Sequence, residues 1–309
     1  MSKIFIGTAS WTDPTLLESG WYPPEVSTAE ERLRYYARSF SLVEVDATFY
    51  ALPSLRNVQA WVNRTPAGFR FDVKAFRAFT QHWIPPESLP RDLRSEVGSP
   101  PRETGWYLEE LGSDVQEELW RRFVTALEPL RAGAKLGVLL FQFPPWFVCR
   151  SIHRTWVERC VDRLQGFSLA IEFRHKSWWE GVRGRETLRW ERELGVVNVV
   201  VDEPQGFPSS VPAVWEATSH HFAMVRLHGR NRETWVKKGL STAAERFKYL
   251  YTEEELGALI DPILRLSHQV TETHVIFNNC YRDYGVRNAS QCQEILTRVL
   301  HQSDKTGQA

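Results

Sequence analysis

The stretch Leu42-Val43-Glu44-Val45-Asp46 decides the fold. It is short, rich in β-branched residues, and alternates an apolar side chain with an acid, which is the pattern of a strand with two different faces. Successive side chains of a strand point to opposite sides, so Val43 and Val45 face one way and Glu44 and Asp46 the other. The pattern returns along the chain. One parity is apolar: Phe71 and Val73, Leu139 and Phe141, Ile171 and Phe173, Val199 and Val201, Val225 and Leu227, Val275 and Phe277. The other carries Asp72 and Lys74, Gln142, Glu172 and Arg174, Asp202, Arg226 and His228, and Asn278. The apolar parity is expected to pack under helices. The other is expected to face an enclosed interior, with its charges near the C-terminal strand ends.

Eight such runs occur, at 4–9, 42–46, 69–75, 137–143, 168–173, 196–202, 222–227 and 274–277. Amphipathic stretches at 28–39, 55–64, 116–131, 154–163, 187–194, 252–267 and 288–301 lie between or after them, with a weaker sixth helix expected near 211–219. Strands alternating with helices imply a parallel sheet with right-handed crossovers. Eight units in 309 residues imply closure into a TIM (β/α)8 barrel. The alternative, an open doubly wound sheet, would be favoured by a glycine-rich phosphate loop after the first strand; Gly7-Thr8-Ala9-Ser10-Trp11 is not one, so no nucleotide cofactor motif is read. The expected organisation is one domain over 1–302, with a Pro- and Gly-rich insertion at 77–114 acting as a lid over the C-terminal mouth, and a frayed tail at 303–309.

Lysine plus arginine number 38, as do aspartate plus glutamate. This zero net charge argues against bulk electrostatic binding to nucleic acid or to an anionic membrane. The four cysteines, Cys149, Cys160, Cys280 and Cys292, show no metal-binding spacing and read as reduced thiols. The N-terminus lacks the apolar core of a signal peptide. The longest apolar run, at 136–148, is broken by Gln142, Pro144 and Pro145 and is too short to span a bilayer. The expectation is a cytoplasmic protein without a membrane partner.

Charges turned into a barrel must pair, reach water or bind a ligand, because an unpaired buried charge is costly. Glu44, Glu172 and Asp202 are candidate acid–base carboxylates, and His228 is the best single proton carrier because imidazole titrates near neutrality. Glu44, Glu172 and His228 are also the residues that would hold a divalent metal, although no compact ligand motif is present. Lys74, Arg174, Arg226 and Arg230 could grip an anionic group, phosphate above all; each could equally pair with a neighbouring carboxylate, Arg226 with Asp202 for instance. Gln142, Asn278 and Asn279 read as orienting amides, and Tyr50 and Trp11 as rings that could stack on a ligand or anchor a loop.

These motifs together resemble one family. Ile6-Gly-Thr-Ala-Ser-Trp11, Trp21-Tyr-Pro23, Val43-Glu-Val-Asp-Ala-Thr-Phe-Tyr-Ala-Leu-Pro53 and Phe71-Asp-Val-Lys-Ala-Phe76 come first. Phe141-Gln-Phe-Pro-Pro145, Glu172-Phe-Arg-His-Lys-Ser-Trp178, Val201-Asp-Glu-Pro-Gln-Gly206, Arg226-Leu-His-Gly-Arg-Asn231, Phe277-Asn-Asn-Cys-Tyr281 and Asn288-Ala289 follow in order. The chain resembles the domain-of-unknown-function family 72, also called YecE-like, from the first strand to the last helix. The resemblance implies a (β/α)8 barrel and carries no established reaction. The chain departs from it at Ala9, where many members carry serine, and in a longer 77–114 insertion.

Two functions compete. One is an enzyme, hydrolase or isomerase, acting on a small polar, sugar-like or phosphorylated substrate by acid–base or metal-assisted chemistry. The other is a non-catalytic binding protein for a nucleotide or single-stranded nucleic acid, favoured by basic and aromatic residues at strand ends and disfavoured by the neutral charge. A third, an interaction scaffold, has no residue that argues for it.

Overall fold

All eight strands form in the order read from the chain: β1 Lys3–Ala9, β2 Leu42–Val45, β3 Arg70–Lys74, β4 Leu136–Gln142, β5 Leu169–Glu172, β6 Val197–Asp202, β7 Phe222–Leu227 and β8 Glu272–Phe277. The structure is a computed structural model that describes residues 2–101, 104–207, 209–240 and 242–306. The strands close into a barrel in sequence order, β1 through β8. β8 pairs in parallel with both β1 and β7, and β4 with both β3 and β5. This is the TIM-barrel arrangement that the alternation demanded.

Ten α-helices accompany the strands among the described residues. They are α1 Pro14–Glu18, α2 Ala29–Ser39, α3 Ala47–Tyr50, α4 Leu55–Asn63 and α5 Arg91–Val97, then α6 Ser113–Ala132, α7 Ser151–Arg163, α8 Val182–Leu194, α9 Glu253–Ser267 and α10 Tyr284–Thr306. Thr28 caps α2 and Thr252 caps α9, each in a reciprocal capping box with the glutamate three residues on. α10 runs on into the stretch expected as a tail, whose last residues, 307–309, lie outside the described ones. The expected sixth helix near 211–219 does not form. Pro212 and the β-branched Val211 and Val214 disfavour a helix. Its backbone is also engaged elsewhere: the Asn198 amide donates to the carbonyls of Val214 and Glu216, and Glu203 accepts from the Val211 N–H.

The chain divides into two compact units, Met1–Val43 with Asn198–Ala309, and Glu44–Val197. In the first, Gly7 explains its own presence: a Cβ there would overlap the Leu42 carbonyl oxygen. Only glycine allows that approach. Beside it the buried Tyr36 hydroxyl accepts from the Thr8 N–H and donates to the Leu42 carbonyl.

In the second unit, aromatic rings stack in series. Phe173 lies 3.8 Å from Trp178 and Phe143 lies 4.1 Å from Phe147, centre to centre. The insertion after β3 has structure of its own. Ile84 and Trp106 form an antiparallel bridge, and Phe79, Ile84, Leu93, Trp106 and Leu108 are buried. Phe79 stacks on Trp120 of α6 at 3.6 Å, and Asp92 of α5 pairs with Arg122 of α6.

All four cysteines are free thiols. Burial pushes the Cys292 thiol up to about 12 and raises Cys160 further, so both stay protonated. Among the described residues no helix is long and apolar enough to cross a membrane.

Candidate functional site

In the unit Glu44–Val197, Glu44 and Glu172 are fully buried. Gln142 and Glu172 are register partners on β4 and β5, which brings their side chains together. Gln142 Nε2 donates to Glu172 Oε1 at 2.8 Å, and Arg174 Nη1 reaches the same oxygen at 3.0 Å. The Arg174 side chain is 13% exposed and that of Glu172 is not exposed at all, so the pair sits at the boundary between interior and solvent. A carboxylate held by an amide and a cation is fixed in orientation.

Asp72 serves the sheet. The β3–β4 ladder shifts register between Phe71 and Val73, and Asp72 Oδ1 accepts the Val138 N–H. A carboxylate there replaces the carbonyl that the irregularity removes.

The end of β3 carries a second group. Thr48 Oγ1 lies 2.6 Å from the Lys74 carbonyl and 2.8 Å from that of Val45, which fastens α3 to the strand. Lys74 Nζ pairs with Asp46 at 3.0 Å and lies 5.0 Å from the centre of the Phe49 ring. Tyr50, next along, is 57% exposed and touches Phe49 edge-on. His82 meets Phe49 from another edge. Burial first, then the charges of Lys74 and Arg77, hold the His82 imidazole down to about 4, so it is neutral at physiological pH.

In the other unit, Asp202 ends β6. Arg230 takes it in a fork, Nε to Oδ1 at 2.9 Å and Nη2 to Oδ2 at 2.8 Å, and the Tyr251 hydroxyl donates to Oδ1 at 2.7 Å. Arg230 Nη1 continues to Glu255, which also accepts from Tyr249 at 2.6 Å. Asp202 thus has Arg230, not Arg226, as its fork partner. The Tyr251 hydroxyl accepts the Gly229 N–H, and burial followed by Asp202 drives its acidity far below that of a free phenol. Gly229 has φ +83, and a Cβ would come within 2.7 Å of Tyr249 Cβ, which accounts for the glycine in the Arg226–Arg230 string.

His228 and Arg226 are buried on and just after β7. Asn278 Nδ2 lies 2.7 Å from His228 Nδ1. Which of the two donates depends on the imidazole tautomer. The rings of Phe247 and Trp235 flank the imidazole at 5.9 and 6.3 Å. Asn279 Nδ2 donates to the Tyr249 carbonyl and to Asn288, which in turn clamps both backbone groups of Tyr251, while Asn279 Oδ1 is buried without a hydrogen-bond partner among the described residues. Trp11 is buried, and its carbonyl accepts from Tyr22. Among the described residues no three His, Cys, Asp or Glu side chains gather as a metal would require.

Sequence reasoning missed Arg77 and His82, which lie beyond the last residue that strand parity can orient, and the hydroxyl of Tyr251. A signal for Arg77 was its place three residues after Lys74 at the close of the Phe71–Phe76 motif.

The family model described as protein of unknown function DUF72 matches residues 5–308. The chain belongs to the DUF72 family. The UPF0759 protein YunF of Bacillus subtilis is 32% identical over 95% of this chain and 94% of its own length. The UPF0759 protein YecE of Escherichia coli is 27% identical over 64% of this chain and 59% of its own. Crystal structures of DUF72 proteins superpose closely. That from Enterococcus faecalis has a TM-score of 0.79 at 26% identity, covering 95% of each chain; that from Thermotoga maritima has 0.74 at 30% identity, covering 96% of this chain and 99% of the other. The DUF72 likeness therefore extends over the whole barrel and both groups of residues described above.

Proposed function

We propose that the protein is an enzyme that acts on a small polar or anionic substrate, sugar-like or phosphorylated, by acid–base chemistry with Glu172 as the proton carrier. The observation that carries this reading is the Gln142–Glu172–Arg174 arrangement: a fully buried carboxylate held through one oxygen by two donors at a strand end. An ion pair of this kind adds little to stability over an apolar pair, since desolvation offsets most of the attraction. It does supply an oriented proton acceptor. Arg174 and Lys74 are suited to a substrate's anionic group. Such a carboxylate serves an isomerase or a hydrolase.

The test is incubation with hexose and pentose phosphates and the free sugars in heavy water, followed by proton and phosphorus NMR. One class is expected to take up deuterium or to hydrolyse, and Glu172→Gln is expected to slow this at least about 100-fold while leaving the melting transition in place. An unchanged rate in Glu172→Gln would sink the mechanism.

A second reading, nucleotide or single-stranded nucleic-acid binding, is favoured by the β7–α9 connection. Arg232, Lys248, Tyr249 and Tyr281 line a cavity of about 870 Å³ there, and Lys248 Nζ lies 5.0 Å from the Tyr281 ring centre. Basic groups interleaved with rings suit phosphates and bases. Glu233 and Glu245 line the same cavity and oppose it. Affinity for oligothymidylate that falls steeply with salt would favour this reading; no binding at low salt would end it.

A further inference from the structure

Arg77 stands just beyond β3, at the start of a short helical turn, Arg77–Thr80. Its guanidinium carbon lies 5.3 Å from the centre of the Phe49 ring, the same ring that Lys74 Nζ approaches to 5.0 Å and His82 to 5.0 Å. Lys74 has Asp46 as counter-ion. Among the described residues Arg77 has no equivalent ion pair. Its guanidinium donates no hydrogen bond to any described residue, and its Nε is buried without a partner. The other charged or titratable groups acting on it, Tyr50 and Glu87, do so only through the field, and burial outweighs them, drawing the guanidinium below its ordinary basicity.

Leaving a buried donor without an acceptor is costly. A cation over a phenyl ring offsets only part of that cost. The arrangement therefore contributes little to stability, and an oxyanion is the partner whose geometry a guanidinium fork matches. We propose that Arg77 and Lys74, against the Phe49 ring, form an oxyanion subsite that holds a phosphate or carboxylate group of a small ligand. The inference rests on the reading above only in taking that ligand to be the substrate. Anion binding without turnover tests it separately.

The experiment titrates inorganic phosphate and, separately, malonate into the full chain at constant ionic strength in chloride, by calorimetry and by NMR of the His82 ring. Saturable binding of at least one anion is expected. Phosphate alone identifies a phosphorylated ligand, malonate alone a carboxylate. Arg77→Gln and Lys74→Gln are each expected to weaken binding about tenfold or more, and Arg77→Lys by less, because it keeps the charge and loses the fork. Arg185→Gln, an exposed arginine on α8, is expected to change nothing. The bound anion offsets the charges of Lys74 and Arg77, which add to burial in depressing the His82 imidazole, so its titration midpoint is expected to rise on saturation. In Arg77→Gln the midpoint should start higher, and phosphate should move it less. Thermal melts confirm that each variant is folded. No saturable binding of either anion, equal affinity in wild type and Arg77→Gln, or a His82 midpoint that ignores the anion would each overturn the proposal.

Discussion

The end of β6 and the end of β3 both gather charged groups around an aromatic residue, and they do it in opposite ways. At β6, both oxygens of Asp202 are taken by Arg230 and one also by Tyr251; Arg230 goes on to Glu255, and Glu255 to Tyr249. The charged side chains of the group all have partners. At β3, Lys74 has Asp46, while Arg77 lies against a ring and donates no hydrogen bond to any described residue. A saturated group has nothing left to offer a ligand except by breaking what it has. An unsaturated one is completed by a ligand. Composition does not separate the two, since each brings arginine and acid to a strand end. Satisfaction of the donors does.

The largest expected effect is on the saturated side. Asp202→Asn removes the charge that Arg230 and Tyr251 both depend on, and should cost about 3 kcal/mol in denaturant unfolding. A loss below about 0.5 kcal/mol would erase the contrast. Tyr251→Phe should cost about 1–2 kcal/mol, because the Gly229 N–H then loses its acceptor and Asp202 a donor.

Glu191 sharpens the comparison from a third position. It is fully buried on α8 with neither carboxylate oxygen partnered, and burial raises it well above the ordinary 4.5. Here the unsatisfied acid is relieved by protonation, an escape that arginine lacks. The sign follows from linkage: the folded state prefers the protonated form, so this group's stabilising contribution is full below about 4.5 and is lost as pH rises toward the raised folded value. Glu191→Gln should flatten that slope. Its melting temperature relative to wild type should rise between about pH 5 and pH 8; a constant difference would show that Glu191 does not titrate out of step with the unfolded chain.

The smallest expected effect on stability is that of Arg77→Gln, within about 0.5 kcal/mol of wild type. A cost near that of Asp202→Asn would place Arg77 among the structural groups and break the comparison from the other side.

Much of this was legible beforehand. Alternation in Leu42–Asp46 and its repeats implied the strands and their order, because a strand has only two faces and one was apolar throughout. The pairing of Gln142 with Glu172 needed the register, which parity alone leaves open by whole steps. The expected helix at 211–219 failed because its backbone groups are engaged by Asn198 and Glu203, whose reach depends on tertiary placement. Asn279 read as an orienting amide; its nitrogen is engaged by Asn288, a partner nine residues away in the chain, and its buried oxygen has no hydrogen-bond partner among the described residues.

By itself, then, the order of residues determined the barrel and its strands, since those follow from local periodicity and from the need to bury one face. Only the tertiary structure decided which charges are spent and which are free. Whether Arg230 meets Asp202 while Arg77 meets a phenyl ring depends on contacts between chain segments distant in sequence, and no local pattern encodes those.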